Sequence, residues 1–517
     1  MKRVFVFTLN FRICAALLSS VLCLSAAAQE LPASIQNEGM YNEQYRPQYH
    51  FTPPEHWNND PNGLVYYKGE YHMFYQYFPG GMQWGPMHWG HAVSKDMLHW
   101  KQLPVALYPD SIGYIFSGSA VVDEDNTAGF RQGSEKTLVA IFTQHDPNNS
   151  REVQSIAYSN DKGRTWKKYD HNPVIDNPGL HDFRDPNVKW YAAGHCWILA
   201  LAGGDHIAFY SSPNLRDWKK ESEFGRHSGN HGGVWECPDL IPMKVKGGGT
   251  KWLLMVNNFG SPAGGGSTQY FIGDFDGKRF TPADTLTRWL YGGADEYAGV
   301  TWNNTGGRTV FIGWMNNWPG ASEKVPSYKW RGGMTLPVEL NLEKESDSLV
   351  LTCQPIKELA KQEHLLFHQS GLTLGNNEWD KSFSGDQLSS SVTRLETEIA
   401  KGQQVTFSLE NAQGEHIDIS YDADKRQLKV DRTAASGTAL QPESAKQHQL
   451  DLPEDITKLS LEIYYDRSSV EIFVNHRWMM TDLVFPTSPY NKVHIMTGGG
   501  LHQLDEVKVS AIHSVWR

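Results

Sequence analysis

Three acidic residues in this sequence stand within two positions of prolines in turn-rich surroundings: Asp60 in Trp57-Asn58-Asn59-Asp60-Pro61-Asn62-Gly63, Asp185 in Phe183-Arg184-Asp185-Pro186-Asn187, and Glu236 in Trp235-Glu236-Cys237-Pro238-Asp239. The first segment alone reads as a turn, because Asn-Asp-Pro-Asn-Gly is built from residues that open and close tight turns. Its recurrence, with Arg beside the second acid, calls for more than a turn. Three carboxylates gathered beneath Trp and Tyr side chains make a sugar site, in which ring faces stack on aromatics while carboxylates and amides bond hydroxyls. Clustered acids can also hold Ca²⁺, although no dense Asp-x-Asp-x-Asp loop is present.

The elements that must position these acids are short strands. From about Tyr49 to Leu359 the chain is crowded with Trp, Tyr, Gly and Pro, and apolar runs such as Leu64-Val65-Tyr66-Tyr67, Leu138-Val139-Ala140-Ile141-Phe142 and Trp252-Leu253-Leu254-Met255-Val256 alternate with turn residues. Three turns repeat a pattern: Ser94-Lys95-Asp96 leading to Trp100, Ser159-Asn160-Asp161 leading to Trp166, and Ser212-Pro213-Asn214 leading to Trp218, with Asp274 to Phe280 a weaker fourth. This spacing fits a four-stranded propeller blade plus loops, and the region holds about five. The Ser and Asp side chains close these turns on backbone amides, a structural role. Each acid then falls on the innermost strand of a different blade, facing one central channel. After Leu359 the alternation of apolar and polar residues becomes cleaner, as in Gln404-Val405-Thr406-Phe407-Ser408-Leu409 and Ser469-Val470-Glu471-Ile472-Phe473-Val474. That pattern predicts a β-sandwich. The expected architecture is all-β, with a five-bladed β-propeller at 45–358, a short link over Pro355 to His364 that can be helical, and a C-terminal β-sandwich at 365–517.

A chain of 517 residues is long enough for two or three such units. Its 47 Lys and Arg against 58 Asp and Glu give a net charge of -11, and with no long basic run nucleic acid is excluded as a partner. Lys2 and Arg3 precede an apolar stretch from Ile13 to Leu24 that ends in Ser25-Ala26-Ala27-Ala28, which reads as a signal peptide at 1–28 cleaved after Ala28. The expected location is periplasmic or extracellular, with no membrane span in the mature chain. Cleavage removes Cys14 and Cys23 and leaves Cys196, Cys237 and Cys353, too few for a disulfide framework, so buried free thiols are expected.

The string from Tyr45-Arg46-Pro47 through Trp57 to Gly63, Trp84-Gly85 and His88-Trp89-Gly90-His91-Ala92, with Phe116-Ser117-Gly118-Ser119, Arg184-Asp185-Pro186, Glu236-Cys237-Pro238 and Asp295-Glu296-Tyr297-Ala298, resembles glycoside hydrolase family 32. The resemblance covers nearly the whole chain after residue 28. One departure is Asn58, where the family usually carries Met. The family includes invertases, inulinases and levanases, and it has a five-bladed propeller followed by a sandwich. The resemblance implies retaining hydrolysis of β-fructofuranosidic bonds, with Asp60 as nucleophile, Glu236 as acid/base and Asp185 as stabiliser of the transition state. It further implies substrate contacts from Trp57, Asn59, Gln76, Trp84, Phe116, Ser117, Arg184, Asp295 and Trp314, and no metal or organic cofactor. Terminal fructose release from levan, inulin and sucrose is the expected activity, and an endo-acting levanase or inulinase is the alternative. A sialidase shares the Ser159 to Trp166 turn but needs an Arg cluster and a Tyr nucleophile where this chain offers acids. A non-catalytic fructan-binding protein would have no need of a paired nucleophile and acid.

Overall fold

The computed structural model describes residues 41–318, 322, 324–346, 348–435, 447–452 and 456–516. The expected signal peptide lies outside them, as do Cys14 and Cys23. The described residues form a five-bladed β-propeller followed by a β-sandwich, as the sequence predicts. The only helical elements among them are two single 3₁₀ turns, Ala192–Gly194 and Leu359–Gln362, the second falling within the predicted link. No helix among them is long and apolar enough to cross a membrane.

Each blade starts at the channel with one strand and runs outward through antiparallel neighbours. The innermost strands are His56–Tyr67, Tyr114–Asp123, Arg184–Tyr191, Glu236–Lys246 and Tyr297–Thr301. Trp330–Arg331 adds a parallel strand to the first blade, on His56 and Trp57. The repeated turns close as expected and show a further bond. Ser94 Oγ accepts the Met97 amide at 2.9 Å, Asp96 Oδ1 accepts the His99 amide at 2.9 Å, and the Trp100 indole donates to the Met97 carbonyl at 3.0 Å. Trp166 and Trp218 repeat that indole bond, to the carbonyls of Gly163 and Leu215, both at 3.0 Å. The Trp at the end of each turn is thus a hydrogen-bonding lock as well as an apolar anchor.

The sandwich packs two six-stranded sheets. Its strands alternate as their sequences do: Val405, Phe407 and Leu409 lie beside Ile417, Ile419, Val493 and Ile495 of the neighbouring strands, all turned into one buried core. A second buried cluster runs without a break from the propeller, through Tyr75 and Trp314, into the sandwich residues Tyr464, Phe473 and Met479.

Within this junction sits a fully buried ion cluster that no sequence pattern announces. His50 bonds Asp466 through Nδ1 at 2.8 Å and Glu471 through Nε2 at 2.7 Å. Asp466 also accepts the amides of Gln48 and Tyr49, and Glu471 accepts the amide of Leu336 at 2.7 Å. The cluster therefore ties the chain entering the first blade and a connecting segment within the fifth to the sandwich. Burial by itself pushes the imidazole pKa down, but hydrogen bonds and charge from Asp466 and Glu471 outweigh it and lift the value from 6.5 to about 9. A group whose pKa rises on folding contributes its stability in full below the unfolded value, and loses it as the pH climbs through the folded one. Thermal midpoints are therefore expected to fall as the pH rises from about 6.5 through 9. His50→Gln leaves two buried carboxylates without their cation, which costs about 3–5 kcal/mol at neutral pH, and its alkaline decline should be shallower. Scanning calorimetry of both proteins across that range checks this; parallel pH curves would contradict it.

Candidate active site

The innermost strands share one irregularity at the channel mouth. Pairing slips between Asn58 and Pro61 in the first blade, between Ile115 and Gly118 in the second, opposite Ala200 to Ala202 in the third, between Glu236 and Asp239 in the fourth, and between Tyr297 and Val300 in the fifth. A bulge re-aims side chains and leaves a residue out of the ladder, a place where Pro is tolerated. Pro186 and Pro238 occupy these places and Pro61 borders the slip in the first blade, which accounts for the acid-Pro motifs. Asp185, Cys237 and Ala298 have φ of 66°, 44° and 57°. Non-glycine residues in the left-handed region store strain, which clusters at functional sites. Gly63, at the end of the first motif, is required for another reason: a Cβ there would stand 2.6 Å from the ring of Phe74 and 2.8 Å from that of Trp89.

The bulged ends surround a cavity of about 470 Å³, lined by Asp60, Asp185 and Glu236 together with Asn59, Gln76, Trp84, Phe116, Ser117 and Arg184. Asp60 accepts hydrogen bonds from the Ser117 hydroxyl on Oδ2 and from Asn59 Nδ2 at 2.9 Å on Oδ1. The Cys237 sulfur lies 3.6 Å from Asp60 Oδ2 and 3.6 Å from Asp185 Oδ2, so the two carboxylates flank a single thiol. The Cys237 amide also donates to Asp185 at 3.0 Å. Glu236 is gripped on both oxygens, by Arg184 Nε at 3.0 Å and by the Tyr297 hydroxyl.

Burial pushes the Asp60 carboxyl above its ordinary value, opposed by the bonds from Ser117 and Asn59 and reinforced by the charge of Glu236. Asp185 is pushed up further by burial, with Arg184 pulling it down and Glu236 and Asp60 pushing it up. Burial and the neighbouring carboxylates hold Cys237 as a thiol. Negative groups crowded together at one cavity favour a positive charge forming among them. The arrangement can thus stabilise a cationic centre, supply a nucleophile and move a proton.

Three residues expected to touch substrate do not line the cavity. Trp57 is fully buried and holds Asn59 Oδ1 through its indole at 2.7 Å. Trp314 is also fully buried, 5.0 Å from the ring of Trp318, and it is Trp318 that lines the pocket. Asp295 is buried at the junction with the sandwich, where it accepts Asn317 Nδ2, Arg432 Nη1 and the Leu483 amide, the last at 2.7 Å. Tyr297, two residues on, faces the cavity instead. Asp295 therefore anchors the segment leading to Trp318 and couples the pocket wall to the sandwich.

Sequence reasoning also missed Glu152 and Asp182, which line the cavity and hold Arg184 Nη1 at 3.2 Å and 2.6 Å. Asp182 stands two residues before Arg184 and was open to discovery. Glu152 comes from a strand remote in sequence, with no local signal. Phe259 closes another side, stacked on Tyr297 at 4.8 Å. Cys196, Cys237 and Cys353 are free, the first only partly buried.

Comparison with known proteins agrees with this picture. The family profile described as glycosyl hydrolases family 32 N-terminal domain matches residues 50–353, and the one described as glycosyl hydrolases family 32 C terminal matches 359–513. A levanase of Bacillus subtilis (strain 168) is 42% identical over 496 residues, covering 94% of this chain and 73% of its own. An extracellular exo-inulinase of Aspergillus ficuum is 37% identical over 525 residues, covering 94% and 97%. The crystal structure of exo-inulinase from Aspergillus awamori superposes with a TM-score of 0.85 at 34% identity, over 92% of this chain and all of that one.

Proposed function

The chain belongs to glycosyl hydrolase family 32, and from that premise we propose that it releases terminal β-fructofuranosyl units from fructans with retention of configuration. It is a glycoside hydrolase acting on fructans. Asp60 attacks the anomeric carbon, the bond to the bridging oxygen breaks, and its electron pair stays on that oxygen, which takes the proton of Glu236. Water, deprotonated by Glu236, then opens the fructosyl ester on Asp60. Asp185, nearly out of solvent, supports the cationic transition state and the sugar hydroxyls. The observation that carries these roles is the convergence of three carboxylates from three blades, two of them on either side of the Cys237 thiol and the third gripped by Arg184 and Tyr297.

A pocket whose lining carboxylates include the nearly solvent-excluded Asp185 suits a single chain end, which supports exo action. Sucrose ends in the same unit and fits the same pocket. Export follows from the leader reading and agrees with the extracellular location in the name of the Aspergillus ficuum relative. The test is a product time course from purified protein on levan, inulin and sucrose, resolved by chromatography. Fructose alone from the earliest time is expected. Early oligosaccharides would replace exo with endo action, and no product from any of the three would overturn the reading.

A further inference from the structure

The propeller has a second cavity mouth, at the ends of the innermost strands remote from the catalytic bulges. Asp185 and Lys189 lie on the same strand, four residues apart, so the two mouths are separated by roughly 13 Å along it at a strand's rise. A cavity of about 340 Å³ occupies this far mouth, between the blade ends that carry Asp123, Lys189 and Asn303. Its size is within the range of small-molecule sites.

Its chemistry is mixed in a particular way. Trp190 is 38% exposed, unusual for so large an apolar group, and its indole N–H makes no hydrogen bond among the described residues. It is held rigid by Trp197, packed edge-on at 5.0 Å and itself bonded to Thr127 Oγ1 at 2.8 Å. Asn303, only 9% exposed, spends its amide N–H groups on the carbonyls of Ala120 and Val188, while its Oδ1 has no donor among the described residues. Lys189 pairs with the buried Asp239 at 3.0 Å, which leaves ammonium donors to spare. Asp125 stands exposed on the rim. An indole face, an unused acceptor open to the cavity, a tethered donor and an acidic rim suit a neutral polyhydroxylated ring, and the acids disfavour an anion.

We propose that this far cavity is a second, non-catalytic saccharide site that holds a fructosyl segment of a fructan while the catalytic mouth works on chain ends. The identity of the sugar rests on the fructan reading above. A chain end seated in the catalytic pocket cannot reach the opposite mouth, so the site takes another segment or another chain and keeps the enzyme at high effective concentration on the polymer.

The test compares Asp60→Ala with the Asp60→Ala/Trp190→Ala double variant by electrophoretic retardation in gels containing levan or inulin, where the polymer survives. Loss of the stacking face is expected to weaken retardation roughly fivefold to tenfold. In the active background, Trp190→Ala should raise the KM for polymer while kcat/KM on sucrose and on a trisaccharide fructan stays within about twofold, and Trp190→Phe should restore most of the retardation. Equal retardation of the two proteins would overturn the proposal, as would losses on small and polymeric substrates alike. If the wild-type chain hydrolysed neither polymer, the reading of the catalytic pocket would fall, and retardation would still decide this site.

Discussion

Replacing Asp60 by Ala is expected to lower turnover of fructans by a factor on the order of 10⁴ to 10⁶, the scale seen when a nucleophile is removed from a covalent mechanism. The protein should stay folded. Asp60 lies on a bulge, and its partners Ser117 and Asn59 both line the open cavity, where water can take its place. Asn59 stays anchored by Trp57. Binding should change far less than turnover, because Gln76, Trp84, Phe116 and Arg184 still line the pocket. Steady-state kinetics together with a thermal melt check this: wild-type melting with turnover nearly abolished is expected, and retention of more than a small fraction of activity would remove Asp60 as the nucleophile.

Replacing Glu236 by Ala should cost a factor on the order of 10² to 10⁴ on fructans, the usual worth of a positioned acid or base. The loss should depend on the leaving group. A sugar alkoxide needs the proton, whereas an acidic phenol departs without it, so fructosylation by an aryl fructoside should be spared much of the loss. The second step still needs a base, and azide, which needs none, should speed turnover by taking the place of water. Arg184 keeps Asp182 and Glu152 after the change, so the pocket should hold its shape. Equal losses in kcat/KM, which reports fructosylation, on fructan and on the aryl substrate would count against the acid/base role.

The extent to which this site could be read from sequence follows from how local each signal is. Asp60, Asp185 and Glu236 were legible because a bulge that aims an acid into the channel also accommodates a proline nearby, which marks the sequence. The propeller and sandwich were legible from turn spacing and from the change in alternation after Leu359. Failures came where a bend decides which neighbour faces the cavity. Asp295 and Tyr297 belong to one segment, but the left-handed backbone at Ala298 and the pull of Arg432 leave Tyr297 in the pocket and Asp295 behind it. Trp314 ends a strand and is buried, while Trp318 follows the turn and reaches the cavity. Glu152, and the pairing of His50 with Asp466 and Glu471, arise between residues remote in sequence. No local pattern carries such pairings.

The assignment of Asp60 is tested most directly by trapping its ester. In Glu236→Ala the second step is slowed, so an aryl fructoside with an acidic phenol should load the enzyme faster than water unloads it. Acid quenching, proteolysis and mass spectrometry should then find one fructosyl residue on the peptide that contains Asp60, and the adduct should disappear when azide is supplied. A fructosyl group on Asp185, or turnover with no adduct at any time after mixing, would contradict the assignment of Asp60 as the nucleophile of a retaining hydrolase.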